Sequence, residues 1–222
     1  MKYTLVKQLI ELAEQYESEN PENSSQNLVD FTAWLNGQLM QKKPGDTKMA
    51  GRLITPYETV ESVLGKLITF LYRYARIYSK KSLENTPLIT PDDFTYLAIV
   101  FSRGSMTKME VIESHMQEKT TGMEILKRLL KNGLIEQYDD ETDKRSKRLV
   151  VTQKGQQVLM GIFPSMGYVA SLISGNLTTE EKMQLVYLLN KLHLFHQNIY
   201  QESRYQHPED ILKERLPDKY NT

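Results

Sequence analysis

The stretch TTGMEILKRLLKNGLIEQYDDETDKRSKRLVVT, residues 120–152, decides how the chain is read. At about 100° per residue, Ile125, Leu126, Leu129 and Leu130 fall on one side of a helix over 120–132. Thr120, Thr121, Glu124, Lys127, Arg128 and Lys131 fall on the other, and Gly133 closes the helix. Residues 134–138 and 147–151 read as strands, and the polar stretch 139–146 between them makes the pair a hairpin. Within that hairpin, Asp143-Lys144-Arg145-Ser146-Lys147-Arg148 packs four cations into six residues.

Upstream, Thr90-Pro91-Asp92-Asp93 is a helix start, with Thr as N-cap, Pro in the first turn and acids at the positive end. Phe94, Leu97, Ala98 and Phe101 supply its buried face, and Arg103-Gly104 ends it. Thr107 and Glu110 have capping-box spacing for a second short helix, with Met109, Ile112 and Met116 expected inward. Three short helices and a hairpin make a helix-turn-helix followed by a wing. In such a unit the third helix turns one face to its own core and the other to base edges in a major groove. Lys119, Lys127, Arg128 and Lys131 then offer contacts to phosphate or guanine, and the Thr120 and Thr121 hydroxyls bond phosphate or base edges. Glu124 sits mid-face, where a carboxylate accepts from a cytosine amino group and repels phosphate. An ordinary solvated helix surface is the competing reading of this face, and mere solvation that of the basic hairpin carrying Arg145 and Lys147.

Long helices flank this unit. Over 58–81, Val60, Leu64, Leu67, Leu71, Tyr74 and Tyr78 keep 4-3-4-3-4 spacing, a seam suited to another helix, one from a partner chain included. Arg73, Arg76, Lys80 and Lys81 end it, either compensating the dipole or approaching phosphate. Phe70, Tyr72, Tyr74 and Tyr78 make it aromatic; plain packing competes with contact to a small aromatic or lipophilic effector. Thr152 opens another long helix through Leu159, Ile162, Met166, Val169 and Ile173, with a kink expected at Pro164. After Thr178 and Glu181, a helix over 179–203 is apolar nearly all round, and a dimer interface is its expected enclosure. The stretch from Gln206 onward reads as a loosely attached tail. At the other end, Leu5, Leu9, Leu12 and Tyr16 form one stripe and Leu28, Phe31, Leu35 and Leu39 a second, with a loop over 41–56.

Composition narrows the chemistry. Across 222 residues, 28 Lys and Arg balance 28 Asp and Glu, so there is no global polybasic character. The positive charge is local: residues 103–154 carry 11 basic and 9 acidic side chains, and 66–81 add five cations and no acid. The chain has no cysteine, which removes disulfides, thiol catalysis and cysteine-ligated metals. His193 and His196 stand at i, i+3 but lack a third ligand, so no metal site is expected. No glycine-rich phosphate loop follows a strand, and neither catalysis nor a cofactor is expected. Neither a signal peptide nor a run of about 18 apolar residues stands out, which leads to the expectation of a soluble, cytoplasmic protein without membrane contact.

Three runs together carry a resemblance to a known family: Thr90-Pro91-Asp92-Asp93-Phe94, Leu129-Leu130-Lys131-Asn132-Gly133-Leu134-Ile135 continuing to Asp143-Lys144-Arg145-Ser146, and Leu149-Val150-Val151-Thr152-Gln153-Lys154-Gly155. The chain resembles the MarR family of winged-helix transcription regulators over about residues 58–203. The resemblance implies a mainly α protein: a winged helix-turn-helix with long amino- and carboxyl-terminal dimerisation helices and one β-hairpin wing. It also implies a homodimer on double-stranded operator DNA, with the recognition helix in the major groove and Arg145, oriented by Asp143, in the minor groove. Effectors of such regulators bind between the dimer arms and the DNA-binding lobes, near Tyr74 and Tyr78. Thr121-Gly122-Met123-Glu124 departs from the Thr-x-Thr-Arg common in the family, placing an acid where a base is usual. Residues 1–57 form a helical extension beyond the family core. The expected organisation is therefore 1–57 extension, 58–88 and 153–204 dimerisation helices, 89–152 winged helix-turn-helix, and 205–222 tail. The expected function is a dimeric transcription regulator, with repression the expected mode, reading a pseudo-palindromic operator. The alternative is a winged-helix protein-interaction module that does not read DNA.

Overall fold

A computed structural model of the chain describes residues 3–20, 27–41, 59–140 and 146–216. The chain divides into two compact units, Met1–Leu67 and Ile68–Thr222. In the first, α1 (Thr4–Glu19) and α2 (Leu28–Gln41) pack through aromatic rings. Tyr16 is buried with its centroid 5.5 Å from Phe31 and 5.6 Å from Trp34, and the Trp34 indole N–H donates to Glu19 at 2.9 Å. Asn27 caps α2 by accepting from the amides of Val29 and Asp30. Tyr16 is thus the buried end of the first apolar stripe, whereas Leu5 and Leu9 are exposed.

The helix α3 (Val60–Ser82) spans the boundary between the units, and its Ile68–Ser82 part belongs to the second. There it is followed by α4 (Pro91–Arg103), β1 (Met106–Thr107), α5 (Lys108–Ser114) and α6 (Lys119–Lys131). Strands β2 (Ile135–Asp139) and β3 (Lys147–Val151) come next, then α7 (Gln153–Ser174), α8 (Thr179–Glu202) and α9 (Pro208–Arg215). Each predicted start has a physical cap. The Thr90, Thr107 and Thr178 side chains accept from the third amide of their helices, and Asp93, Glu110 and Glu181 reach back to complete capping boxes. Thr152 caps α7 by accepting from the Gly155 amide.

The sheet has the order β1-β3-β2, all antiparallel, with Met106 opposite Leu149 and Tyr138 opposite Arg148. The hairpin read from the sequence is therefore two-thirds of the sheet; two residues of β1 are too few to give a periodic signal. Tyr96, Leu97 and Val100 of α4, Val111 and Ile112 of α5, and Ile125, Leu126 and Leu129 of α6 close the core against Leu134, Leu149, Leu159 and Ile162.

Pro164 lies inside α7, whose helix runs through it. Three expectations change. Met109 and Met116 are exposed, and Val111 with Ile112 fills the core; α5 ends at Ser114, and Met116 takes a left-handed backbone (φ 52°) beyond it. The expected tail carries a further helix, α9, capped by His207 and joined to α8 by the ion pair of Arg215 with Glu202. Finally, α7 is long and apolar enough to cross a membrane by length and composition. Its Gly155, Leu159 and Ile162 are instead built into the winged-helix core.

Candidate nucleic-acid interface

Helix α6 is fixed by its buried side. Ile125, Leu126 and Leu129 are in the core, and Gly122 packs so closely on α5 that a Cβ there would lie 2.5 Å from Ile112 Cγ1 and 2.9 Å from the Tyr96 hydroxyl. Glycine costs helix stability, about 1 kcal/mol relative to alanine, and here it permits the close crossing of the two helices. Lys119, Thr120, Thr121, Glu124, Lys127 and Lys131 all lie on the exposed side, and so does Met123.

Arg128 differs from its neighbours. Its Nε lies 2.9 Å and 3.1 Å from the two Asp93 carboxylate oxygens, its Nη2 forms a further ion pair with Asp93, and Thr90 stands at 3.5 Å. Asp93 is only 1 % exposed and also accepts from the amides of Ile89 (2.7 Å) and Thr90 (2.9 Å). The expectation that Arg128 reaches DNA is corrected in this structure: its guanidinium satisfies a buried carboxylate, which would otherwise be strongly unfavourable. The helical wheel carries the clue. Thr120, Glu124, Lys127 and Lys131 centre the outward face, and Arg128 lies about 70° from that centre, turned towards Ile125 of the apolar stripe.

The base of the wing is held by a second arginine. Arg148 donates from Nε to the Ser105 hydroxyl at 2.8 Å, from Nη1 to Asp140 at 2.9 Å and from Nη2 to the Ser105 carbonyl at 3.2 Å. Tyr138, directly across the hairpin, meets the same Ser105 hydroxyl at 2.9 Å. The hydrogen bond that Arg148 donates to Asp140 is the main reason its pKa is raised. One of the four hairpin cations thus serves the scaffold. Lys147 remains on the exposed side and pairs with Asp139. Asp143 and Arg145 lie outside the described residues. Sequence reasoning missed Ser105, Tyr138 and Asp140, because nothing local marks partners 33 and 43 residues apart.

At the exit of β3, the Thr152 hydroxyl donates to the carbonyl of Gly133 at 2.7 Å. A Cβ on Gly155 would stand 2.1 Å from the Leu134 carbonyl oxygen, so only glycine lets α7 meet the end of α6 there. This explains the Thr-x-x-Gly ending of the wing.

A family profile described as a winged helix DNA-binding domain matches residues 89–155. Residues 89–155 are a winged-helix DNA-binding domain. Among its curated relatives, the HTH-type transcriptional repressor NicR of Pseudomonas putida is 27% identical over 139 residues, 62% of this chain and 86% of that protein. The transcriptional regulator HosA of Escherichia coli is 26% identical over 106 residues, 48% of this chain and 78% of that one. Among solved structures, Bordetella bronchiseptica BpsR, described with regulation of its DNA binding by 6-hydroxynicotinic acid, superposes with a TM-score of 0.55 at 21% identity, covering 59% of this chain and 98% of that one. A mutant of MarR from E. coli complexed with operator DNA gives 0.55 at 24% identity, covering 58% and 92%. These likenesses fix the fold of the MarR-type core; α1 and α2 lie upstream of the winged-helix match.

Tyr74 and Tyr78 stack at 6.4 Å on α3, with Tyr74 exposed and Tyr78 half-buried. Tyr78, without Tyr74, lines a cavity of about 520 Å³ together with Ile77, Leu83 and Leu88, and Lys80 and Lys81 contribute its cations. Among the described residues, no group of three His, Asp or Glu side chains is placed to hold a metal; His193 and His196 are both exposed.

Proposed function

We propose that the protein is a homodimeric transcription regulator, acting as a repressor in the cytoplasm, that reads a pseudo-palindromic operator through α6. The observation that carries this reading is the split of α6: Gly122, Ile125, Leu126 and Leu129 lock one face while Thr120, Thr121, Glu124, Lys127 and Lys131 stand free on the other. With Lys119 at its amino end, that face offers hydroxyl donors, cations and one acceptor for a cytosine amino group. The wing supplies Lys147 and, by resemblance to the family, Arg145 oriented by Asp143 for the minor groove. Exposed apolar residues along α3, α7 and α8 favour a second copy of the chain as their cover, Leu71 and Ile77, Phe163 and Leu172, and Val186 and Leu189 among them.

Release by a small aromatic acid is part of the same proposal. Tyr74 and Tyr78 supply rings, and the cavity beside Tyr78 pairs an apolar lining with Lys80 and Lys81. NicR is named a repressor, and BpsR responds to 6-hydroxynicotinic acid. A nuclease footprint of the purified chain on DNA upstream of its own gene tests the reading. Two protected half-sites about one helical turn apart, lost in Arg145→Ala with the dimer intact, are the expected result. A chain that protects no DNA at low salt overturns it and leaves a protein-interaction module as its replacement. Release of a bound operator by 6-hydroxynicotinic acid or a related aromatic acid, absent in Tyr78→Ala, tests the effector.

A further inference from the structure

Two adjacent carboxylates at the first turn of α4 hold two different helices. Asp93 binds Arg128 of α6, as described above. Asp92 lies 3.4 Å from Nη1 of Arg76 on α3, and the same nitrogen donates to the Tyr72 hydroxyl at 2.9 Å. The Tyr72 ring also lies against the guanidinium, 5.6 Å from centroid to carbon. Tyr72 first, and Asp92 after it, raise the Arg76 pKa. Asp92 and Asp93 share one peptide bond at the start of a helix whose entry is fixed by Pro91 and a complete capping box. The two ion pairs are therefore two ends of one rigid joint. It runs from Tyr72 and Arg76 on a long helix with an open apolar face to the helix whose outer face is free for DNA.

We propose that Arg76 and Asp92 are positioning residues that set the separation of the two recognition helices in the dimer, acting through the Asp93–Arg128 pair. This inference rests on the dimeric DNA-reading function above. The physical need is clear from the duplex. Adding one base pair moves a half-site by about 3.4 Å along the axis and turns it by about 35° around it. A reading head hinged loosely to the dimer arm tolerates such a change, and a tethered one does not. The Arg76–Asp92 pair suits a tether more than a stabiliser, since its side chains are 42 % and 29 % exposed and pairs of that kind add little to folding. Asp93 and Arg128, in contrast, are too deeply built into the fold to test the idea cleanly.

The experiment is a selection of bound DNA from a random pool by the full-length protein, run in parallel for the wild type, Asp92→Asn, Arg76→Gln and the double variant. The wild type is expected to enrich paired half-sites at one spacing. Each single variant is expected to enrich the same half-site sequence at several spacings and to bind the wild-type site about three- to tenfold more weakly. The double variant is expected to be no worse than either single one, because both remove the same contact. Melting temperature and dimerisation stay at the wild-type values, which separates a tether from a general loss of structure. A single unchanged spacing in both variants overturns the inference while leaving DNA reading intact. So does an effect confined to Asp92→Asn, which belongs to the helix dipole rather than to the pair. A wild type that enriches no sequence overturns the DNA-reading function and this inference with it.

Discussion

The winged-helix core and α8 use the same kinds of residue to opposite ends. In the core, Leu97, Leu126, Leu129 and Leu149 are essentially inaccessible, and α4, α5 and α6 each bury apolar side chains against their neighbours. In α8 no residue is buried; Met183, Val186, Leu189 and Leu194 lie open over its 24 residues. Periodicity reports that a helix has an apolar side and says nothing of what covers it. Each large aliphatic side chain moved out of water contributes about 1.5–3 kcal/mol, so an uncovered helix of this composition is a strong demand for a partner.

Four substitutions at neutral pH test that contrast, the largest expected effect first. Arg128→Ala should cost about 3 kcal/mol of folding stability in denaturant titration, because it strands the Asp93 carboxylate in the core. Lys127→Ala, one residue away and exposed, should leave stability alone and weaken operator binding about tenfold. Equal behaviour of the two would erase the distinction drawn between them. Gly155→Ala should cost about 2 kcal/mol or more by the same titration, since its Cβ meets the Leu134 carbonyl and backbone has little room to move. Leu189→Glu should leave the unfolding of the winged-helix core unchanged and weaken dimerisation about tenfold in sedimentation experiments. A loss of core stability instead would show that α8 is covered within its own chain.

The smallest effect at neutral pH concerns Tyr96, whose buried hydroxyl has no hydrogen-bond partner. Tyr96→Phe should be neutral or stabilising by about 1 kcal/mol. Burial, the first cause, pushes the Tyr96 phenol up to about 12 from the ordinary 10. The folded state therefore favours the neutral ring, and that contribution is complete below pH 10. It is lost as pH rises from 10 towards 12, where the unfolded chain ionises first. Thermal melts of wild type and Tyr96→Phe should thus diverge across that interval, the wild type falling by about 2–3 kcal/mol more. Parallel melts would mean that the phenol is not shielded.

Features set by a few neighbouring residues were legible in the sequence. The helix starts at Thr90, Thr107 and Thr178, the two faces of α6 and the positions of β2 and β3 all follow from local spacing. The partner of Arg128 is hidden from local spacing, because Asp93 is 35 residues away, and so is the Ser105 partner of Arg148, 43 residues away. Propensity counts Gly122 as a cost to its helix, whereas its value comes from Ile112 on another helix. The inward face of α5 was drawn one helix too long, since Met116 follows a backbone turn that spacing does not reveal. The helix at Pro208–Arg215 was hidden behind two prolines that read as breakers, although Pro208 opens it.

The place of β3 in the sheet has a consequence for altering the protein. It is the middle strand, flanked by β1 on one side and β2 on the other, with Arg148 bolting it to Ser105. A strand secured along both edges keeps its register when the segment joining it to β2 is exchanged. The residues between Asp140 and Ser146 are therefore an interchangeable cassette: fingers of other lengths and charges can be grafted there, and a new target preference sought, while Asp140 stays in place to hold Arg148.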